Sequence, residues 1–330
     1  MILLLLKKLP KKMLISMFIL FGIILLIGFI CSFTMFFNNM STFNNMKSQV
    51  QDYMNNHAVT QMSAKAAKSN VDDSLLVEMI DVGQADCTLV TNGDVTMLID
   101  AGNNADGPLV VQYLKNMGVS RIDYLIGTHP HEDHIGGLDD VIDAFDIGEL
   151  IMPNVVTTTK TCEDVLVSAK NKGLQITRPT VGDTWNIGNS VCTILSCSPA
   201  DDEEDLNQWS IVVKVVNNKV SFLFEADATE ANEKKMIESG MDLSATYLRV
   251  AHHGSYTSSS EDFVKLVNPS YAIISVDEDN EYEHPHKSTM KTLCKYADYL
   301  AMTSSQGTIR VTSNGITSDI TTIFTNTDGN

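Results

Sequence analysis

"THPHEDHIGG" (residues 128–137) gathers three of the chain's eight histidines and an acidic pair between the apolar run "IDYLIG" and two glycines. A fold gains little from crowding imidazoles against carboxylates. A divalent-metal site gains a great deal, because imidazole suits Zn, Mn or Fe and carboxylate adds charge neutralisation. "IDYLIGT" reads as a buried strand delivering His129 at its end, so His129 and His131 can point to one side. Asp133 and His134 fall on the next turn and can face a second ion about 3.5–4 Å from the first. Gly136 and Gly137 let the helical stretch "GGLDDVIDAF" begin close against this loop.

On either side of the motif the chain alternates strand and helix patterns from Leu75 onward. "LLVEMIDVG" reads as a buried strand, "CTLVTNGDVTMLID" as a hairpin across Asn92-Gly93, and "GPLVVQYLKNMG" as a helix closed by Gly118. "WSIVVKVVNNKVSFLF" (209–224) predicts a second hairpin over Asn217-Asn218, and "GTIRVTSNGITSDI" a third over Asn314-Gly315. "ATYLRVA" and "SYAIISV" are further strands, with helical stretches near 229–239, 260–268 and 287–297. Two hairpin-rich halves with helices between strands predict an α/β fold of two mixed sheets face to face, helices outside.

Hydrophobic content of 44% and charged content of 19% exclude a disordered chain. The net charge of −18 is unevenly spread: residues 1–75 hold seven Lys against three Asp, and residues 76–330 carry 16 basic and 38 acidic side chains, or −22. Such a domain repels polyanions over most of its surface. Residues 13–37 form 25 positions without a charged side chain, more than the roughly 20 that cross a bilayer. Lys7, Lys8, Lys11 and Lys12 precede them, which places residues 1–12 in the cytoplasm. The run is too long for a cleaved signal peptide and ends in Phe36-Phe37 rather than small residues. The expectation is a single-pass anchor in the cell membrane with the rest of the chain extracytoplasmic. Residues 38–74, polar and with a short helical stripe from Phe36 to His57, read as a stalk, and residues 75–330 as the domain. Cys31 lies in the span; Cys87, Cys162, Cys192, Cys197 and Cys294 form no metal-binding spacing and read as buried free thiols.

The motif H-x-H-x-D-H after an apolar strand resembles the signature of the metallo-β-lactamase fold, an αββα sandwich. "DVGQADCTLV" (81–90), "MLIDAG" (97–102), "NQWSIVVK" (207–214), "FLFEAD" (222–227), "RVAHHGS" (249–255) and "HPH" (284–286) extend the likeness. They occur in the order seen in its ComEC-like branch, the hydrolase domains of competence proteins. The resemblance covers residues 75–312 or so. It implies that His129 and His131 bind one metal and Asp133 and His134 the other, two divalent ions (Zn or Mn) in all. Asp227 would bridge both. His252 would complete the second site, with its neighbour His253 as the alternative. Asp100 would orient the histidine loop, and Asp81 and Gln84 would line the cleft. His284 and His286 would sit at the mouth, as substrate contact or proton donor to the leaving group.

Three departures stand out. Ala226 and Ala85 occupy positions where the family usually has Gly, tolerable where φ is negative. Glu225 adds a negative charge beside the bridge and favours a cation-rich, Mn-type site. No histidine lies between His134 and His252, and Asn207 occupies that region, which argues against β-lactam hydrolysis. The implied chemistry is metal-dependent hydrolysis by a hydroxide held between two cations, Asp133 among the reacting groups, most simply on a phosphodiester. The branch implies a nuclease. The −22 domain charge limits this to short or single-stranded DNA, and leaves open a small phosphodiester such as a phosphocholine ester, or a catalytically silent binding module.

Overall fold

The computed structural model describes residues 74–323. The expected cytoplasmic tail, anchor and nearly all of the stalk lie outside the described residues. Among the described residues no helix is long and apolar enough to cross a membrane.

In chain order the first half contains β1 (Leu75–Met79), β2 (Thr88–Asn92), β3 (Val95–Ile99), α1 (Gly107–Asn116), β4 (Arg121–Ile126), α2 (Glu132–Ile135), α3 (Leu138–Ala144), β5 (Asp146–Ile151), α4 (Lys160–Asn171) and β6 (Ile176–Thr177). The second half contains β7 (Thr184–Ile187), β8 (Ser190–Ser196), β9 (Val212–Asn217), β10 (Val220–Phe224), α5 (Glu230–Ser239), β11 (Tyr247–Arg249), α6 (Glu261–Val267) and β12 (Tyr271–Ile274). It ends in α7 (Lys287–Tyr296), β13 (Tyr299–Met302), α8 (Thr303–Gln306), β14 (Thr308–Ser313) and β15 (Ser318–Ile323).

The strands form two mixed sheets, in the orders β15-β14-β1-β2-β3-β4-β5-β6 and β13-β12-β11-β10-β9-β8-β7. In each, antiparallel pairing gives way to parallel pairing, from β3 to β6 in the first and from β10 to β13 in the second. Alternation along the strands explains the layers. Val90, Met97 and Ile99 join the core that also takes residues from the second sheet, whereas Leu89 and Leu98 pack with Val110, Leu114, Leu138, Val141 and Val165 of the helices. Both faces of the first sheet are thus buried, which is why apolar side chains fall at successive positions of its strands, as in Leu89-Val90 and Met97-Leu98-Ile99. Across the second sheet Phe222, Tyr247, Tyr271 and Tyr299 stand in register and stack, with ring centroids 4.7, 4.8 and 4.9 Å apart.

Two turns differ from the sequence reading by a residue. Asn92 pairs with Val95 and Asn217 with Val220, so the hairpin tips are Gly93-Asp94 and Asn218-Lys219. Asn217 stays in its strand because its side chain is buried and donates to Asn189 and Ser190, while Asn218 takes the left-handed conformation (φ 59°). The thiols of Cys87, Cys162, Cys192 and Cys197 are free and buried; Cys294 is free but exposed, a correction to the expectation.

Candidate metal centre

The parallel strands end at a common edge, and the loops leaving them carry the polar cluster. Ligand sites in α/β sheets form where such carboxyl-terminal strand ends meet. His129 and His131 follow β4, and Asp133 and His134 sit in the single turn of α2. That turn lies tight on the loop before α1: a Cβ on Gly136 would stand 2.2 Å from the Asn104 nitrogen, and one on Gly137 2.4 Å from the Ala101 oxygen. From the second sheet, Asp227 follows β10, and His252 and His253 follow β11.

Two groups of donor atoms meet at Asp227, each with its atoms within 4.8 Å of one another: His129, His131 and Asp227, and Asp133, His134, Asp227 and His253; a third, Asp86, Asp100 and His134, lies on the Nδ1 side of the His134 ring. Asp227 belongs to both. His134 Nε2 and Asp227 Oδ1 stand 3.1 Å apart, buried, and neither has a hydrogen-bond partner. Each such orphan costs about 1–3 kcal/mol. A cation between them relieves both, so the donor set fits a metal.

The second nitrogen of several rings is already occupied, which fixes the ring. His134 Nδ1 stands 2.8 Å from Asp100 Oδ2, whose carboxylate also accepts from Thr128 N and Oγ1 at 2.8 and 2.7 Å. His253 Nδ1 donates to the Ser275 carbonyl at 2.8 Å, and its Nε2 lies 3.1 Å from Asp133 Oδ2. His252 Nδ1 meets Thr257 Oγ1 at 3.0 Å, and its Nε2 lies 3.6 Å from Asp227 Oδ2. Partners of this kind orient metal-binding histidines.

It is His253, the second of the two alternatives, whose ring joins the Asp133/His134 group, while His252 stands beside the other Asp227 oxygen. Both residues are left-handed (φ 52° and 50°), so the backbone turns two successive imidazoles inward, with His253 the deeper. His252 faces the Asp227 oxygen nearer His129, 3.9 Å from that ring's Nε2.

The electrostatics suit a cation. Burial opposes charge on His134, but Asp227, Asp133 and Asp100 outweigh it and raise its pKa well above the usual imidazole range. Burial opposes ionisation of Asp227 and Asp133 too, yet the facing histidines hold both carboxylates below their usual range. His129 is driven the other way, by burial and then by His134, and stays neutral.

Other expected residues fall at varying distance. Gln84 lines the cleft, its Nε2 3.3 Å from His284 Nδ1 and its Oε1 accepting from Asp277 N at 3.2 Å. Asp81 takes a turn role instead, accepting from Gly83 N at 3.3 Å, and is not among the residues lining the cleft. His284 lines it; burial first, then the neighbouring histidines, lower its pKa to about 4, so it is neutral at neutral pH. His286 stands behind, its Nδ1 accepting from Tyr256 N at 3.2 Å, and does not line the cleft. Asn207 lines neither cleft, and its buried Oδ1 has no hydrogen-bond partner.

The sequence reading missed Ser210, whose Oγ accepts from Asp227 N at 3.2 Å and lies 3.5 Å from His129 Nδ1. It also missed the buried Arg249–Asp86 pair; both residues sit inside the quoted motifs, but nothing in the sequence joins them. Glu225 is corrected as well. Its carboxyl is fully buried outside both groups, and burial first, then Glu233, raises its pKa well above the usual range, which opposes the expected negative charge.

The cleft over the donors is about 310 Å³, lined by His131, Asp133, Asp227, His252, His253 and His284 among others. An outer cleft of about 550 Å³ shares Gln84, Glu132, Asp133 and Tyr282 with it and adds Asp279 and Glu281. Neither lining contains a lysine or arginine.

A profile of the metallo-beta-lactamase superfamily matches residues 80–277. Recombination protein 2 of Haemophilus influenzae is 32% identical over 241 residues, covering 71% of this chain and 28% of that protein. ComE operon protein 3 of Bacillus subtilis is 27% identical over 252 residues, 71% of this chain and 32% of that protein. Competence protein ComA of Neisseria gonorrhoeae is 26% identical over 241 residues, 72% of this chain and 32% of that protein. The chain thus spans about a third or less of the length of these relatives.

Proposed function

The chain belongs to the metallo-β-lactamase superfamily, and from that premise we propose that it is a metal-dependent phosphodiesterase with a dinuclear centre. The observation that carries this reading is Asp227, common to both donor groups and buried, with an oxygen that faces His134 Nε2 at 3.1 Å and accepts no hydrogen bond. His129, His131 and Asp227 would hold one divalent cation, with His252 beside them, and Asp133, His134, Asp227 and His253 the other. Such a pair of cations, Zn or Mn, supplies an activated water and neutralises charge on the attacked and leaving oxygens.

The chain's own residues prepare the site. Asp100, Ser275 and Thr257 hold the rings of His134, His253 and His252 so that the opposite nitrogens face the centre. His284, with Nδ1 turned to Gln84, presents its other ring nitrogen as a hydrogen-bond donor to a substrate oxygen. Being neutral, it orients the leaving group rather than arriving as a charged acid. His286 supports that loop, its backbone N–H donating to the Gly254 carbonyl at 2.9 Å. The hydrolase domain would lie outside the cell, tethered by residues 13–37.

Relatives named for competence and recombination make short or single-stranded DNA the first substrate to try. The lining favours a second: Glu132, Asp133, Asp279 and Glu281 beside the ring of Tyr282 suit a small phosphodiester bearing a cationic group, such as a phosphocholine ester. Metal analysis of the purified protein, with turnover of single-stranded DNA, an aryl phosphodiester and an aryl phosphocholine under Mn or Zn, tests the reading. The expected result is about two cations per chain and metal-dependent cleavage. Negligible metal and no turnover would instead identify a silent binding module.

A further inference from the structure

Each half of the centre must be held to a partner on the other sheet, and the two halves are tied differently. On the His129/His131 side the Thr128 carbonyl accepts from Ile211 N at 3.0 Å, and Ser210 Oγ sits between His129 and Asp227. On the Asp133/His134/His253 side the tie is a buried guanidinium. Arg249, the last residue of β11, is 3% exposed and pairs with Asp86, 5% exposed, in the loop between β1 and β2.

That one side chain reaches residues next to three candidate ligands. Arg249 Nη1 donates to the Ala226 carbonyl at 2.6 Å, immediately before Asp227, and the same carbonyl accepts from His252 N at 2.8 Å. Arg249 Nη2 donates to Asp86 Oδ1. Asp86 in turn holds the Asp133 carbonyl through its own N–H at 2.9 Å, and its Oδ2 lies 3.7 Å from His134 Nδ1.

We propose that Arg249 is a positioning residue that sets the spacing of the Asp133/His134/His253 half of the centre, so that this half loses its cation when the guanidinium fork is lost. The inference rests on the dinuclear reading above. Geometry and charge predict opposite signs here. A buried positive charge beside this half repels a bound cation, so a purely electrostatic Arg249 would tighten cation binding when neutralised. A positioning Arg249 weakens it. Lysine keeps the charge but lacks the fork that serves Asp86 and the Ala226 carbonyl together.

The test is Mn(II) titration of the full chain, reading bound metal per chain and the exchange-coupled paramagnetic resonance signal of a Mn pair. The variants are Arg249→Lys and the apolar pair Arg249→Met with Asp86→Leu, since removing both partners of a buried pair usually preserves the fold. Lys214→Met with Asp242→Leu, another ion pair in the second half of the chain (2.8 Å), is the control and should keep two cations and the coupled signal. The expected result for both Arg249 variants is at least about tenfold weaker binding of one cation, retention of the other, and loss of the coupled signal. Arg249→Lys binding two cations with unchanged affinity and a coupled signal would overturn the proposal. Should the double variant not fold, Arg249→Lys alone decides. A wild-type chain that never binds two cations would overturn the dinuclear reading itself.

Discussion

Asp227 offers one oxygen to each half of the centre, and no neighbouring residue duplicates that position. Asp227→Ala should therefore reduce bound metal at both halves, by about tenfold or more in affinity, with circular dichroism unchanged. His253→Ala should lose one cation, whereas His252→Ala should keep the cation of the Asp133/His134 half; metal analysis distinguishes them, and the reverse pattern would restore the first assignment. Glu225 makes a different prediction. Its raised pKa means that the folded chain holds the proton more tightly than the unfolded one. That contribution is complete below the ordinary carboxyl value of 4.5 and is lost as pH rises through the folded value. Glu233, raised to about 7 by burial first, follows the same sign. Glu225→Gln should thus become progressively more stable than its parent between about pH 5 and 8, measured by urea unfolding in the presence of chelator. A constant difference across that range would mean that the carboxyl is ionised in the fold.

The segments that carry the donors are bent where they leave their strands. Ala226 precedes Asp227 with φ 49°, the left-handed region in which the methyl group is strained; Ala85 is not in that region. Ala226→Gly should raise stability by about 0.5–1 kcal/mol, because relief of left-handed strain exceeds the entropy that glycine adds to the unfolded chain. Gly254, at φ 84°, lets the loop of His284 and His286 dock: a Cβ there would stand 2.5 Å from Pro285 Cβ. Gly254→Ala should cost about 2 kcal/mol or more in thermal or urea unfolding. It should also depress turnover more than metal content, because the displaced loop holds His284 rather than a donor of either group. Equal loss of both would place the loop in the metal-binding frame.

Over the whole chain, charge decides which polymers can approach. The segment "DEDNEYE" (277–283) holds five acidic residues, of which Asp279 and Glu281 line the outer cleft, and residues 76–330 carry 38 acidic against 16 basic side chains. The two dications of the proposed centre would act strongly only within about 8–10 Å in physiological salt, enough for one or two phosphates and too short to offset repulsion along a duplex. Fluorescence anisotropy without added metal should show no binding of long duplex DNA below about micromolar concentration, the range reached only by proteins making many basic contacts. Submicromolar binding would reveal a basic stripe and return duplex DNA to the substrates considered.

The sequence by itself determined the layers and where in the chain the clustered histidines and carboxylates lie. Period-2 and helical patterns report burial against neighbours close in sequence, so β1 to β4, the hairpins and α5 to α7 were legible, and H-x-H-x-D-H marked the centre. The short strands β7 and β13 gave weak periodicity, and β5, β8 and α4 were not read either. What only the tertiary structure decided depends on contacts between residues far apart in the chain. The choice of His253 over His252 came from two left-handed residues and the Ser275 carbonyl. The raised pKa of Glu225 came from burial, which its neighbours in sequence do not encode. The Arg249–Asp86 tie spans 163 residues. Local pattern says which residue types are present; ring orientation, protonation and spacing are set where two sheets meet.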